Sequence, residues 1–79
     1  MKSFSLSDCV LGEDVYVLKL NSNDEIKRRF LDIGLSKNTK VVPLFDSICG
    51  GIRAYKIRNS LIAIRNKDAD NIIVRRLDE

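Results

Sequence analysis

Apolar residues recur along the chain at two different spacings, and the switch between them divides it into elements. From Asp14 to Leu20 the apolar positions alternate, with Val15 and Val17 on one side and Tyr16, Leu18 and Leu20 on the other. β-branched and aromatic residues at a period of two predict a strand. Apolar groups on both sides place that strand in a curving sheet or beneath a helix. After Ser22 the period changes. Ile26, Phe30 and Ile33 stand at i, i+4 and i+7, and Leu31 widens the stripe. That is the pattern of a helix with one buried face, predicted over residues 24–33. Ser22 followed three positions later by Glu25 reads as a capping box. Asp24 and Glu25 complement the positive end of the helix dipole, and Arg28 and Asp32 are spaced to pair on the wet side. Gly34 ends the helix by entering the left-handed region, with Leu35 folding back on Phe30. In the turn that follows, Asn38 is the residue best suited to positive φ.

The rest of the chain is strand-spaced. Residues 40–45 form a predicted strand interrupted by Pro43, which cannot donate to a ladder and so marks an edge or a bulge. Residues 46–51 are a loop. Strands are predicted over 52–58 and 61–65, joined by a tight turn at Asn59-Ser60 in which Asn59 takes positive φ. Asn66 caps a short turn, and residues 72–76 close the chain as a last strand. Near the start, Ser7 or Asp8 caps a single turn and Gly12 reverses the chain. Five short strands, one early helix and a late helical turn predict a mainly β fold, a small and partly open barrel.

With 79 residues there is room for one domain, residues 1–79, and a chain this short buries about 60% of its unfolded surface. No apolar run approaches the roughly 20 residues that span a bilayer. The opening residues lack the apolar core of a signal peptide. Both features predict a cytoplasmic protein. Cys9 and Cys49 form no CxxC pair, and there is no histidine. The commonest catalytic base and the commonest metal ligand are thus absent together. Gly50-Gly51 lacks the surrounding residues of a phosphate-binding loop. The expectation is a protein without catalytic residues, metal ligands or cofactor. Cys9 reads as a small buried hydrophobe.

The net charge of +3 comes from 14 basic and 11 acidic residues, interleaved. It fits a solvated mixed surface or a footprint for an acidic partner. Arg53, Tyr55 and Lys56, with Arg58 and Arg65, lie on one predicted hairpin. They form either a basic docking face or the ordinary solvent-facing positions of two strands. Ile48-Cys49 at the loop tip is either an apolar plug for a partner or, through Ile48, the closure of one barrel end. The candidate partner-binding residues are therefore Ile48, Cys49, Arg53, Tyr55 and Lys56. Without exposed Phe or Trp for base stacking, nucleic acid is not the expected partner. It remains the alternative, as does another regulatory protein.

In this order the elements resemble those of the FeoA family. Residues 29–41, with Arg29, Leu31, the Asp32-Ile33-Gly34-Leu35 helix stop and Val41, are similar to the family's R-x-L-x-D-x-G-L-x-x-G-x-x-V signature. Residues 52–65 resemble its hairpin, and residues 67–74 its last turn and strand. Asn38 and Asn59 stand where the family usually has glycine, which preserves residues tolerant of positive φ. Ser22, Glu25, Phe30, Asp32, Gly34, Leu35, Asn38 and Asn59 are thus the structural motif. A loop usually written Pro-x-Gly-Asp-Pro is replaced here by Ser47-Ile48-Cys49-Gly50-Gly51. The resemblance implies an SH3-like barrel acting in the cytosol of a bacterium. Its role would be that of an accessory to ferrous iron uptake, a monomer that interacts with the cytosolic domain of the GTP-hydrolysing permease FeoB and regulates it.

Overall fold

The computed structural model describes residues 3–76. In chain order they form β1 (Phe4–Ser5), a 3₁₀ turn (Leu6–Asp8), β2 (Val15–Leu20), α1 (Asp24–Asp32), β3 (Lys40–Asp46), β4 (Ile52–Ile57), β5 (Ser60–Arg65), α2 (Asn66–Ala69) and β6 (Ile72–Arg76). The six strands make one antiparallel sheet in the order β1-β6-β2-β3-β4-β5. The sheet curls without closing. Between its two end strands lies α2, which touches both β5 and the 3₁₀ turn. Ser5 donates its hydroxyl to the carbonyl of Asp70 at 2.9 Å, and Ser7 donates to the Asp70 carboxylate. The gap is thus filled by a helical turn instead of strand pairing. β1, with two residues, was too short to show any periodicity in the sequence.

The interior is aliphatic around one tyrosine: Leu6, Val15, Val17, Leu35, Val41, Tyr55, Ile57, Ile72 and Val74 are all fully or almost fully buried. Each aliphatic side chain among them contributes roughly 1.5–3 kcal/mol by leaving water. Simple alternation does not describe β2. A register shift between Val17 and Lys19 puts Leu20 on the same buried face as Val15 and Val17. A bulge adds one residue and so moves everything beyond it to the opposite face. β3 is bulged in the same way between Pro43 and Phe45. It is not an edge: it pairs with β2 on one side and β4 on the other. Its β2 pairing covers only Lys40 and Val41, so the missing Pro43 N–H breaks no ladder there, while the Pro43 carbonyl accepts from Gly12 at 2.7 Å.

The end of α1 follows the sequence closely. Gly34 has φ +102°. Its N–H donates to the Leu31 carbonyl at 3.1 Å and the Leu35 N–H to the Phe30 carbonyl at 3.0 Å, the two bonds of a Schellman motif. Phe30 and Leu35 are buried together in the core. The stripe is narrower than expected, since Leu31 and Ile33 are exposed. The start of α1 is shifted by one residue. The cap is Asn23, not Ser22: the Asn23 carboxamide accepts from the Ile26 N–H at 3.0 Å. A carboxamide oxygen suits the position as well as a hydroxyl. Glu25 does not reach back to a cap; it lies 3.8 Å from Arg29 across one turn. Asn66 is likewise inside the first turn of α2 and Arg65 holds the cap position.

Asn38 takes positive φ, +71°, as expected. Asn59 does not. Ile57 pairs with Ser60, so the two-residue hairpin loop is Arg58-Asn59, and Arg58 carries φ +58°.

Candidate functional site

The β3–β4 ribbon has two functional-looking ends. One is the Ser47–Gly51 loop. The other is the level of Lys40 and Arg58, about 20 Å away along a seven-residue strand.

The loop is built on a fixed base and an open tip. Ser47 donates its N–H to the Ile52 carbonyl at 2.9 Å, and Gly50 donates to the Ser47 carbonyl at 3.1 Å. Gly50 and Gly51, at φ +77° and +78°, turn the chain through a conformation that costs other residues roughly 1–2 kcal/mol. The Gly51 carbonyl accepts from the Asn66 N–H at 2.8 Å, tying the loop to α2. Beside it, Arg53 acts as a strut. Its Nε lies 2.7 Å from an Asp46 carboxylate oxygen and its Nη1 donates to the Cys9 carbonyl at 2.8 Å. With the Gly12–Pro43 bond, this holds the residue 9–12 segment against β3. Ile48 at the tip is fully exposed, so it does not fold down to close the barrel. Cys49 beside it is an exposed free thiol. Val10, Leu11, Leu44, Phe45 and Ile52 are also exposed, on the strand ends that flank the loop and on the segment that the Arg53 and Gly12 bonds tie to them.

The five candidate partner residues therefore separate. Ile48 and Cys49 stay together at the tip. Arg53 lies at their base with its guanidinium engaged; its side chain is 16% exposed, not free on a basic face. Tyr55 is wholly buried. The reason is in β4: Arg53, Tyr55 and Ile57 alternate onto the inward side, and Arg53 reaches the open mouth because it is last in that row. Lys56 points outward at the other end, with Arg58. Exposed Phe45 also departs from the expectation that no phenylalanine is exposed. Val10, Leu11, Leu44, Phe45 and Asp46 were not among the candidate residues legible in the sequence. The signal for them was present in two apolar pairs, each next to a chain-reversing or non-donating residue: Val10-Leu11 before Gly12, and Leu44-Phe45 after Pro43.

Burial shapes the titration of the inner groups. It pushes the Cys9 thiol up from 9.0 to about 12, helped by the nearby Glu13 carboxylate. It pushes the Tyr55 hydroxyl up from 10.0 to about 12. Arg53 is raised further by its hydrogen bond to Asp46. Cys9 is thus a packed thiol without nucleophilic character. Among the described residues no three Cys, Asp or Glu side chains converge as a metal site. No helix there is long and apolar enough to cross a membrane.

The described residues thus form a small open barrel with an apolar tip on a braced loop. The family model of the FeoA domain matches residues 4–76, and the chain belongs to the FeoA family. Among solved structures it is similar to the FeoA protein of Chlorobium tepidum, with 24% identity, a TM-score of 0.88 and coverage of 94% of this chain and 70% of that one. It is also similar to the zinc-complexed FeoA of Stenotrophomonas maltophilia, with 22% identity, a TM-score of 0.80 and coverage of 91% and 89%. That protein is described as a prokaryotic SH3 domain protein put forward as an activating factor of bacterial ferrous iron transport. A manganese-dependent transcriptional repressor shares the fold over 95% of this chain and 42% of its own, with 22% identity and a TM-score of 0.83. No curated protein sequence matches the chain. The fold is accordingly the SH3-like one.

Proposed function

We propose that this chain is a non-catalytic, cytosolic accessory of ferrous iron uptake that docks on the cytosolic side of the FeoB permease and tunes it. Family membership supports the transport system. The observation that carries the docking reading is the braced apolar surface around Ile48. An apolar side chain wholly in water on a loop with a fixed base is preorganised for a partner's pocket, since little chain entropy remains to be lost on binding. The Arg53 strut supports the base by holding the Cys9–Gly12 segment and β3 together. This differs from a role for Arg53 as a steering charge.

The reading is tested by titrating the purified chain into an isolated cytosolic domain of the permease and measuring the heat of binding. A saturable isotherm that Ile48→Asp weakens by about tenfold or more supports it. Absence of binding at concentrations where the domain remains folded overturns it.

A further inference from the structure

At the opposite end of the β3–β4 ribbon a groove of about 520 Å³ is lined by Lys37, Lys40, Lys56 and Arg58, with Ser36, Asn38, Thr39, Asn59 and Val42. Four cations and no acid line it. Among the described residues, the carboxylate at ion-pair distance from one of the four is Asp14, 3.9 Å from Lys40, with both groups more than half exposed; such a contact is weak in water.

Three observations bear on what this groove is for. The first is the concentration of charge. In a chain with 14 basic and 11 acidic residues, evenly mixed, three of the four cations around this hollow, Lys37, Lys56 and Arg58, have no carboxylate at ion-pair distance among the described residues. The second is the strand register. Val42 pairs with Lys56 and Val41 with Ile57, so the same register brings Lys40 level with Arg58 and diagonal to Lys56. Like charges facing across strands repel, and the fold accepts that repulsion at this one end. The third is the backbone. Among the described residues, the non-glycine residues with positive φ are Asn38 and Arg58, and both line the groove. Asparagine tolerates that region; arginine does not share the tolerance. An asparagine stands next door at position 59, yet the left-handed position holds the cation. The two-residue turn itself requires positive φ there, and it holds a cation at the rim of the groove where asparagine or glycine is the usual choice.

We infer that this groove binds a compact polyanion, an oligophosphate chain of the kind carried by inorganic triphosphate or by a nucleoside triphosphate. Its volume is that of a small-ligand site. The side-chain amides of Asn38 and Asn59 supply neutral donors between the cations, with one hydroxyl proton left over from the Ser36–Thr39 contact, matching the acceptor oxygens of phosphate. The lining has one apolar residue, Val42, and so offers no pocket for the anchoring side chains of an acidic peptide. It has no aromatic ring, and so no platform for the bases of single-stranded nucleic acid. None of its residues belongs to the apolar docking surface except as neighbours along the ribbon, so the inference stands or falls apart from the docking reading.

The test is a set of titrations of the whole chain at low salt, followed by amide chemical shifts. The ligands are inorganic triphosphate, ATP, orthophosphate, a poly-glutamate peptide and a single-stranded oligonucleotide. The inference requires saturable triphosphate binding with Kd below ~1 mM, with shifts centred on residues 36–40 and 56–59. It also requires weakening by about tenfold in Lys56→Glu and in Lys40→Glu, and little change in Arg29→Glu on the exposed helix. Tighter binding of ATP than of triphosphate identifies a nucleotide as the source; equal binding identifies the free oligophosphate. The inference is overturned if triphosphate does not saturate or if orthophosphate binds equally well. It is also overturned if Arg29→Glu weakens binding as much as the groove variants do, or if the peptide or the oligonucleotide binds more tightly. Lys40 and Lys56 are exposed strand positions, so their variants keep the fold, and a dispersed amide spectrum checks this.

Discussion

Gly34 ends α1 at φ +102°, in the left-handed region that few other residues tolerate. A Cβ at this position meets the Arg58 Nε at 2.8 Å, so both strain and contact oppose a side chain. Gly34→Ala should cost on the order of 1 kcal/mol or more, read as a lowered Tm. Gly34 was legible in the sequence; Tyr55 was not. Its ring was placed on a wet hairpin face because β4 carries large side chains on both sides, and the sequence holds no mark of which side is covered. The buried hydroxyl has no hydrogen-bond partner, so Tyr55→Phe should leave stability unchanged or raise it by up to about 1 kcal/mol in a denaturant titration. Cys9 gives a pH prediction. Its thiol pKa is 9.0 in the unfolded chain and about 12 in the fold. Above pH 9 the unfolded state therefore sheds the proton first and is favoured, so stability falls between pH 9 and 12. Cys9→Ala should flatten that fall, as seen by melting curves across the range. With both thiols free, iodoacetamide should label Cys49 alone in the folded protein at neutral pH.

At the scale of elements, the helix was legible from its apolar stripe, and the five strands of five or more residues from apolar and β-branched runs bounded by turn residues. The misses share one cause: positions where a neighbouring segment, unseen in the local pattern, decides the outcome. β1 exists only because it pairs with β6. The bulges in β2 and β3 reset which residues face inward. The cap of α1 fell on Asn23 because the chain arrives from Leu20 through Asn21 in the geometry fixed by the Asn21 bond to the Asn71 carbonyl, 2.7 Å long. Asn23→Ala should accordingly cost about 1 kcal/mol, while Ser22→Ala, which removes a buried hydroxyl without a partner, should not destabilise. Equilibrium unfolding of the two variants side by side distinguishes Asn23 from Ser22 as the cap.

For the whole molecule, the barrel separates two surfaces along one ribbon, an apolar tip braced by Arg53 and a basic groove at the Arg58 turn. The tip was visible in the sequence, through Ile48-Cys49. The groove was visible only through Lys56 and Arg58 on the basic hairpin, because Lys37 and Lys40 come from a separate stretch that the fold alone brings beside them. The Arg53 strut places a stability cost where a steering role was expected. Arg53→Glu sets a second carboxylate beside Asp46 and leaves the Cys9 carbonyl unpaired, so it should lower Tm, by an amount equivalent to about 1–3 kcal/mol. The most direct measurement is the affinity of three variants for the isolated cytosolic domain of the FeoB permease, with melting curves recorded alongside. Ile48→Asp and Phe45→Asp should each weaken binding by about tenfold or more with little change in Tm, and Arg28→Glu on the exposed side of α1 should bind like the unaltered chain. If Arg28→Glu is the damaging change and the two apolar-surface variants bind normally, docking uses the helix side and the apolar tip is not the interface.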